Sequence, residues 1–494
     1  VTDNVNGGVY APFPVWTPVS ADSSWSDPAL WSSGSVPTTG DIVIDTSAMT
    51  EPISIQVPSA FASVIILGNE SILTSISFNG VPSSISVFGK VKLPVETINA
   101  LETLDIKENV TLAVDVAEGE VAITKGISGN FAFVKTGAGI LTLNSKIIPY
   151  GGTIIEEGTL KFGTEYLGDG SYNNADDVRV KSGAVFDYNG KPDAFIRNVT
   201  LEEGAVFQNS SDDDIGTGKR QLKGIILEGD ATVYANGDFG LVASGHNATK
   251  LQLNNHCLTK TGPGNFWLIN TTDNNNAGDF RVKEGILCCS TTASTLTGVK
   301  LSIEGEAELK LDARLSGLAS LKFRSNGSGN GVGFTGLNNL DAAIRPVIDA
   351  GLINPESLNV GDTVTLVNGS GLTNNFADVS VGGRFETVSF SETETAVNAT
   401  VGELKNFYHY DFNGGYEKES AKADDSTYEV NGWGDVNGGD KRINSRNGMA
   451  AKLFYSADAN RFCAYWDGNT ADNKSPFHAG VGTIVSVIKP RDTD

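Results

Sequence analysis

The sequence predicts an all-β protein: a right-handed parallel β-helix (β-solenoid) followed by a smaller β-sandwich-like segment at the C-terminal end. Three observations lead there. A short phrase recurs along the chain: an apolar residue, one or two charged residues, a turn glycine, then an alternating strand. The copies lie 20 to 25 residues apart. The segments between turns are rich in β-branched residues and carry no 3.6-residue apolar period.

The phrase reads Ile155-Glu156-Glu157-Gly158-Thr159-Leu160, Val180-Lys181-Ser182-Gly183-Ala184-Val185 and Leu201-Glu202-Glu203-Gly204-Ala205-Val206. It continues as Leu227-Glu228-Gly229-Asp230-Ala231-Thr232, Val282-Lys283-Glu284-Gly285-Ile286-Leu287 and Ile303-Glu304-Gly305-Glu306-Ala307. Weaker copies precede these at Ile66-Leu67-Gly68-Asn69 and at Ile106-Lys107-Glu108-Asn109-Val110, where Asn109 stands in the glycine position. One turn glycine per 20–25 residues is the period of a solenoid. Helical repeats are longer, and a leucine-rich repeat needs an LxxLxLxxN run that is absent here. In each strand alternate residues face inward, so Leu160 with Phe162, and Ala205 with Phe207, are expected in the core. A corner glycine or asparagine supplies the positive φ that a tight turn needs. Residues 46–403 form the predicted solenoid, with roughly sixteen coils if each takes one period.

Residues 1–45 precede it. Trp25-Ser26-Asp27-Pro28 is followed by Trp31, Gly34, Pro37 and Gly40-Asp41-Ile42-Val43-Ile44. This run resembles the start of many large secreted bacterial β-helix proteins. The end of a solenoid exposes an apolar cross-section, and Trp25 and Trp31 are suited to cover it as a cap. The competing reading is an aromatic platform for sugar stacking.

A longer motif occurs twice. Phe133-Val134-Lys135-Thr136-Gly137-Ala138-Gly139-Ile140-Leu141-Thr142-Leu143 is echoed by Leu258-Thr259-Lys260-Thr261-Gly262-Pro263-Gly264-Asn265-Phe266-Trp267-Leu268. Each is followed by a Gly-x-Leu strand, at Gly158 and at Gly285. This pattern resembles the passenger-associated repeat of bacterial autotransporters and related β-helical surface proteins. The resemblance implies a secreted or surface-exposed chain. Lys-Thr-Gly also occurs in penicillin-binding enzymes, and GxG turns can cradle phosphate. Both uses need a helix that the flanking strands do not allow, and no SxxK nucleophile context is present.

After residue 330 the composition shifts. Leu340 to Ala350 is the best helix candidate, interrupted by Pro346. Strands return at Thr363–Val367 and Phe385–Phe390, and the solenoid is expected to end around Gly402 to Lys405. Residues 404–494 form the last predicted segment. Tyr408-His409-Tyr410-Asp411-Phe412-Asn413-Gly414 and the later Gly482-Thr483-Ile484 through Lys489-Pro490 resemble strands of laminin-G/concanavalin-like jelly rolls, of which only part fits here.

The chemistry is sparse. A formal net charge of −23 repels phosphate backbones and anionic lipid, so nucleic acid is not an expected partner. No run approaches 18 apolar residues, so no membrane-spanning helix is expected. Val1 to Gly8 are polar, as they would be if any secretory signal had already been removed. Cys257, Cys288, Cys289 and Cys463 include no CxxC pair. Cys257 could pair with Cys288 or Cys289, or all could be buried thiols. His246, His256, His409 and His478 are scattered, without HExxH or HxH. The acidic runs Ser211-Asp212-Asp213-Asp214 and Asp424-Asp425 read as solvated turns, with a calcium role as the weaker alternative. Sequons stand at Asn69, Asn109, Asn198, Asn247, Asn270 and Asn398. No catalytic, cofactor-binding or metal-ligating residues are assigned, no cofactor is expected, and the chain is read as not an enzyme. The function expected is that of a secreted cell-surface structural or scaffold protein, self-associating into an extracellular filament or layer. The alternative is an adhesin or glycan-binding protein with the β-helix as stalk and surface glycans as partners, its reader marked by Trp433 and Trp466. A polysaccharide lyase or hydrolase ranks third.

Overall fold

The computed structural model describes residues 13–401, except 59–60, 169–175, 192–193, 195, 218–220, 244–246, 273–276, 328, 351–352, 354–357, 360, 374, 377 and 381–387; five strands between 416 and 466 are also described. The contacts divide the chain into two units. The first holds residues 1–348, 365–379 and 392–397, and the second the remainder.

The first unit is a parallel β-solenoid of about 14 coils. Corner loops that lengthen some coils account for there being fewer than the sixteen expected. One face begins with Val15–Trp16, Asp41–Asp45, Ser63–Leu67, Ser84–Phe88 and Thr103–Ile106, paired in parallel in that order. A second runs from Ile53–Val57 through Thr74–Phe78, Lys90–Pro94, Val110–Asp115, Phe131–Thr136 and Thr153–Ile155 to Leu222–Leu227. The third is a twelve-stranded sheet that starts at Glu120–Ile123. From Phe239–Leu241 onward a further series, continuing with Asn265–Leu268, Ile286–Cys289 and Glu308–Leu311, completes the later coils.

Register keeps like with like. On the twelve-stranded sheet, Leu141, Leu160, Phe186, Phe207 and Val233 stand one above the next and are fully buried. Leu160 with Phe162, and Ala205 with Phe207, are buried as alternation requires. Aromatic rings run along this core. Phe186 stacks on Phe207 at 5.4 Å, and Phe207 meets Phe239 edge-on at 5.2 Å. That spacing is about the separation of neighbouring strands, so each ring packs on the ring of the next coil.

The corners behave as the phrase predicts at all but two glycines, Gly68 and Gly229. Gly158, Gly183, Gly204, Gly285 and Gly305 all have positive φ, and Asn109 takes the same conformation at φ 61°. Gly229 has no positive φ. Its missing side chain matters because a Cβ there would lie 2.5 Å from Glu203 Cα.

The entry segment joins the solenoid directly: Val15 pairs with Val43 and Trp16 with Ile44. Trp16 lies 5.3 Å from Trp25, which meets Trp31 edge-on at 4.8 Å and Phe61 at 6.1 Å. Trp31 Nε1 donates to Trp25 O. The three indoles pack on one another, and Trp25 also packs on Phe61 of the early coils.

Residues 340–350 are not helical. A 3₁₀ turn occupies Leu337–Asn339, Leu340 bridges Leu315, and Val347–Asp349 is a strand. Pro346 has no N–H for a helix and disfavours the helical conformation at the residue before it, and the chain enters a strand at Val347 instead. The one α-helix among the described residues, Val95–Ala100, was not expected.

The second unit contains an antiparallel sheet: Tyr416–Ala421 pairs with Thr427–Trp433, which pairs with Ile443–Asn444 and Ala451–Ser456, and the latter with Arg461–Trp466. The stretches 402–415 and 467–494, which carry most of the jelly-roll resemblance, lie outside the described residues.

Candidate functional site: two buried lysine corners

Two lysines enter the core fully buried, both in the repeated Lys-Thr-Gly-x-Gly motif. Lys135 is the last but one residue of the strand Phe131–Thr136 and stands in an inward column between Val114 and Ile155. Lys260 occupies an inward position on Cys257–Thr261, between Val233 and Val282. All the neighbours in both columns are apolar and fully buried, and so are both lysines. Burying an ammonium is expensive unless its donors are satisfied.

They are satisfied. Lys135 Nζ donates to the carbonyl oxygens of Thr136 at 2.9 Å, Gly137 at 2.6 Å and Glu157 at 3.0 Å. Lys260 Nζ donates to those of Gly262 at 2.6 Å, Gly264 at 2.6 Å and Glu284 at 2.7 Å. An ammonium has three N–H donors and each finds one carbonyl. Two acceptors belong to the lysine's own corner and the third to the next coil, so each ammonium staples two coils. Glu284 Oε2 also accepts from Gly262 N at 2.9 Å, which fastens the same pair of corners.

The glycines follow from this geometry. A Cβ at Gly285, where φ is +65°, would lie 2.5 Å from Gly262 O and 2.6 Å from Gly264 O and would strike Lys260 Nζ. A Cβ at Gly158 would lie 2.5 Å from Gly137 O. The motif is thus one device: a lysine, a carbonyl-lined corner, and a glycine in the next coil that lets the corner carbonyls approach.

Burial pulls both lysines down to about 8, while Asp115 and Glu157 near Lys135, and Glu284 and Asp238 near Lys260, act in the opposite sense. Both therefore remain protonated at neutral pH. With every donor engaged and no access to solvent, the group is suited to holding coils together, not to acid–base work.

Residues 133–162 match the family model of the passenger-associated-transport-repeat. The matched stretch contains the whole first staple, from Lys135 to Gly158. The second, at Lys260 to Gly285, lies outside the match and builds a like staple, with Gly264 O taking the place of the carbonyl next to the lysine. Over the matched repeat and the solenoid that carries it, the chain is similar to autotransporter passengers. No curated protein and no solved structure matches it.

The other residues singled out in the sequence do not converge. In the Ser211–Asp214 turn, Asp213 Oδ2 accepts from Ser211 Oγ at 3.2 Å and Asp214 Oδ1 from Asp238 N at 3.1 Å. Among the described residues no group of three His, Cys, Asp or Glu is placed to hold a metal. Asp424-Asp425, His246, His409 and His478 lie outside the described residues, as do the side chains of Trp433, Trp466 and Cys463. Cys257, Cys288 and Cys289 are free thiols, and burial pushes Cys288 up to about 12. His256 Nδ1 lies 3.8 Å from Asp230 Oδ1. Two sequon amides are tied into the fold. Asn69 Nδ2 donates to Ser47 O and Met49 O, and Asn198 Nδ2 to Asp177 Oδ1.

The outer surface carries a charge ladder the sequence reading did not find. Arg179 pairs with Glu202 at 3.2 Å and, across one further coil, with Glu228 at 2.5 Å, and Lys181 pairs with Glu202 at 2.8 Å. Only the coil register brings these residues together.

Proposed function

We propose that this chain is the exposed, non-catalytic part of a surface or secreted passenger-type protein, and that its solenoid serves as an extracellular scaffold that self-associates. The observation that carries the reading is the match at residues 133–162 together with the staple that the repeat builds there. The repeat motif is spent on coil-to-coil cohesion. A protein that works outside the cell gains from such cohesion, because each coil of a solenoid is stabilised only by its neighbours. The net charge of −23 supports the same reading, since it favours solubility and disfavours nucleic acid.

Protease treatment of intact producing cells tests the location: an epitope in residues 133–162 should disappear from the cells without lysis. Protection of that epitope until lysis would overturn the surface assignment. Light scattering of the purified chain at physiological salt tests self-association, and a monomeric mass at every concentration would overturn that part.

A further inference from the structure

Parallel sheets are vulnerable at their leading edge, where unpaired N–H and C=O groups can recruit another strand. The solenoid closes two such edges in different ways. The leading strand of the first face, Val15–Trp16, is covered by its own chain. Thr17 N donates to Leu30 O, Ser32 N donates to Val15 O, and Trp16 forms an antiparallel bridge with Trp31. The leading edge of the twelve-stranded sheet is met instead by a short helix, which engages it through one side-chain amide.

Its leading strand is Glu120–Ile123, which pairs on one side with Ile140–Leu143. No strand among the described residues pairs with its other side. In the preceding coil the helix Val95–Ala100 stands where a strand of this face would otherwise begin. Val95, Thr97 and Ile98 are buried and fix the helix in place. Asn99 is turned toward the edge. Its Nδ2 donates to Ala122 O at 2.9 Å, and its Oδ1 accepts from Thr124 N at 2.7 Å. These two groups flank Ile123, and in a parallel ladder they are the pair that one residue of an added strand would engage. The side-chain amide therefore reproduces a peptide group at the end of the sheet. Beside it, Lys125 Nζ donates to Leu101 O and Glu102 O and holds the helix exit against the same strand end.

We propose that Asn99 is the end stop of the twelve-stranded sheet: its amide occupies the donor–acceptor pair at Ala122 and Thr124 and so keeps this edge from pairing with a strand of a second copy of the chain. Val121 on that edge strand is 39% exposed, so an unblocked edge would offer an apolar side chain as well as backbone groups. The inference does not depend on the surface role. Self-association of the native chain would use another surface.

The test uses the full chain. Asn99→Ala should raise the exchange rate of the Thr124 amide by about tenfold or more, the loss of one engaged hydrogen bond. It should also raise the mass seen by light scattering above that of wild type at equal concentration. Lys125→Met, which removes a neighbouring contact but leaves the amide pair intact, should change neither. If Asn99→Ala does not fold by circular dichroism, Asn99→Ser, which is too short to bridge the two groups, takes its place. Wild-type protection of Thr124, or a wild-type mass at every concentration in a folded variant, would overturn the proposal.

Discussion

Replacing Lys260 with methionine keeps the length of the side chain and removes the ammonium. Three carbonyls, those of Gly262, Gly264 and Glu284, then lose their donor inside the core. Each buried acceptor left unpaired costs about 1–3 kcal/mol, or roughly 3–6 kcal/mol for the three after overlap. Against this stands the relief of burying a charge. Lys260 falls from 10.5 to about 8, a gap worth roughly 3 kcal/mol at about 1.4 kcal/mol per unit. The balance is a destabilisation of about 2 kcal/mol. In a solenoid it should be local, because each coil interacts only with its neighbours. Native-state hydrogen exchange is therefore the assay. Gly264 N, bonded to Ala235 O, and Lys283 N, bonded to Lys260 O, report on the stapled coils, and Thr111 N, bonded to Gly89 O, reports on remote ones. The first two should exchange about 30-fold faster in Lys260→Met, and the third at its wild-type rate. Lys161→Met, which removes a surface lysine 3.7 Å from Glu120, should change none of them by more than about twofold. Unchanged protection at Gly264 and Lys283 would refute the staple.

Gly285→Ala puts a Cβ into the carbonyl cage at positive φ and should cost at least about 3 kcal/mol, whereas Gly183→Ala, at φ +73° with open space around it, should cost about 1 kcal/mol; equal melting shifts would contradict the geometry. Because burial lowers Lys135 and Lys260 from 10.5 to about 8, the unfolded chain binds more protons than the folded chain between those values. These lysines therefore make stability rise with pH across that window, and the stability of wild type relative to the double variant Lys135→Met/Lys260→Met should increase from about pH 8 to about pH 10.5; a flat difference would count against it. Arg179→Ala should cost only about 0.5–1 kcal/mol, since the ladder is more than one-third exposed at Arg179 and Glu228, and the effect should fade in about 1 M salt. Its hydrogen bond to Arg179 holds Glu228 below the ordinary carboxylate range. That contribution is present above the ordinary range and lost as pH falls through the lowered value, so an acid titration that does not separate the variant from wild type would refute it.

The solenoid was legible because its cause is local and repeated. A corner glycine every 20–25 residues and alternation in many of the strands between corners are properties of the chain itself, and Asn109 could be matched to glycine from its place in the phrase alone. The two Lys-Thr-Gly-x-Gly copies were equally visible. What they do was not. Counting alternate positions from Phe131 and Phe133 places Lys135 inward, a signal present in the sequence, yet a lysine in a core column is credible only once three carbonyls are seen around it. The helix proposed at residues 340–350 failed because Pro346 and the pull of a neighbouring strand outweigh the propensity of Leu340-Asp341-Ala342-Ala343.

By itself, then, the sequence determined the period, the inward and outward faces, the corner residues and the two-copy motif, all set by interactions within one coil. Only the tertiary structure decided which residues of different coils meet: Lys260 with Glu284 O, Arg179 with Glu228 two coils on, and Asn99 with the end of a sheet that begins one coil later. Those contacts depend on how the coils stack. Extra residues are absorbed in the corner loops while the strands keep their register, and no pattern within one coil records which side chains of other coils that stacking brings level.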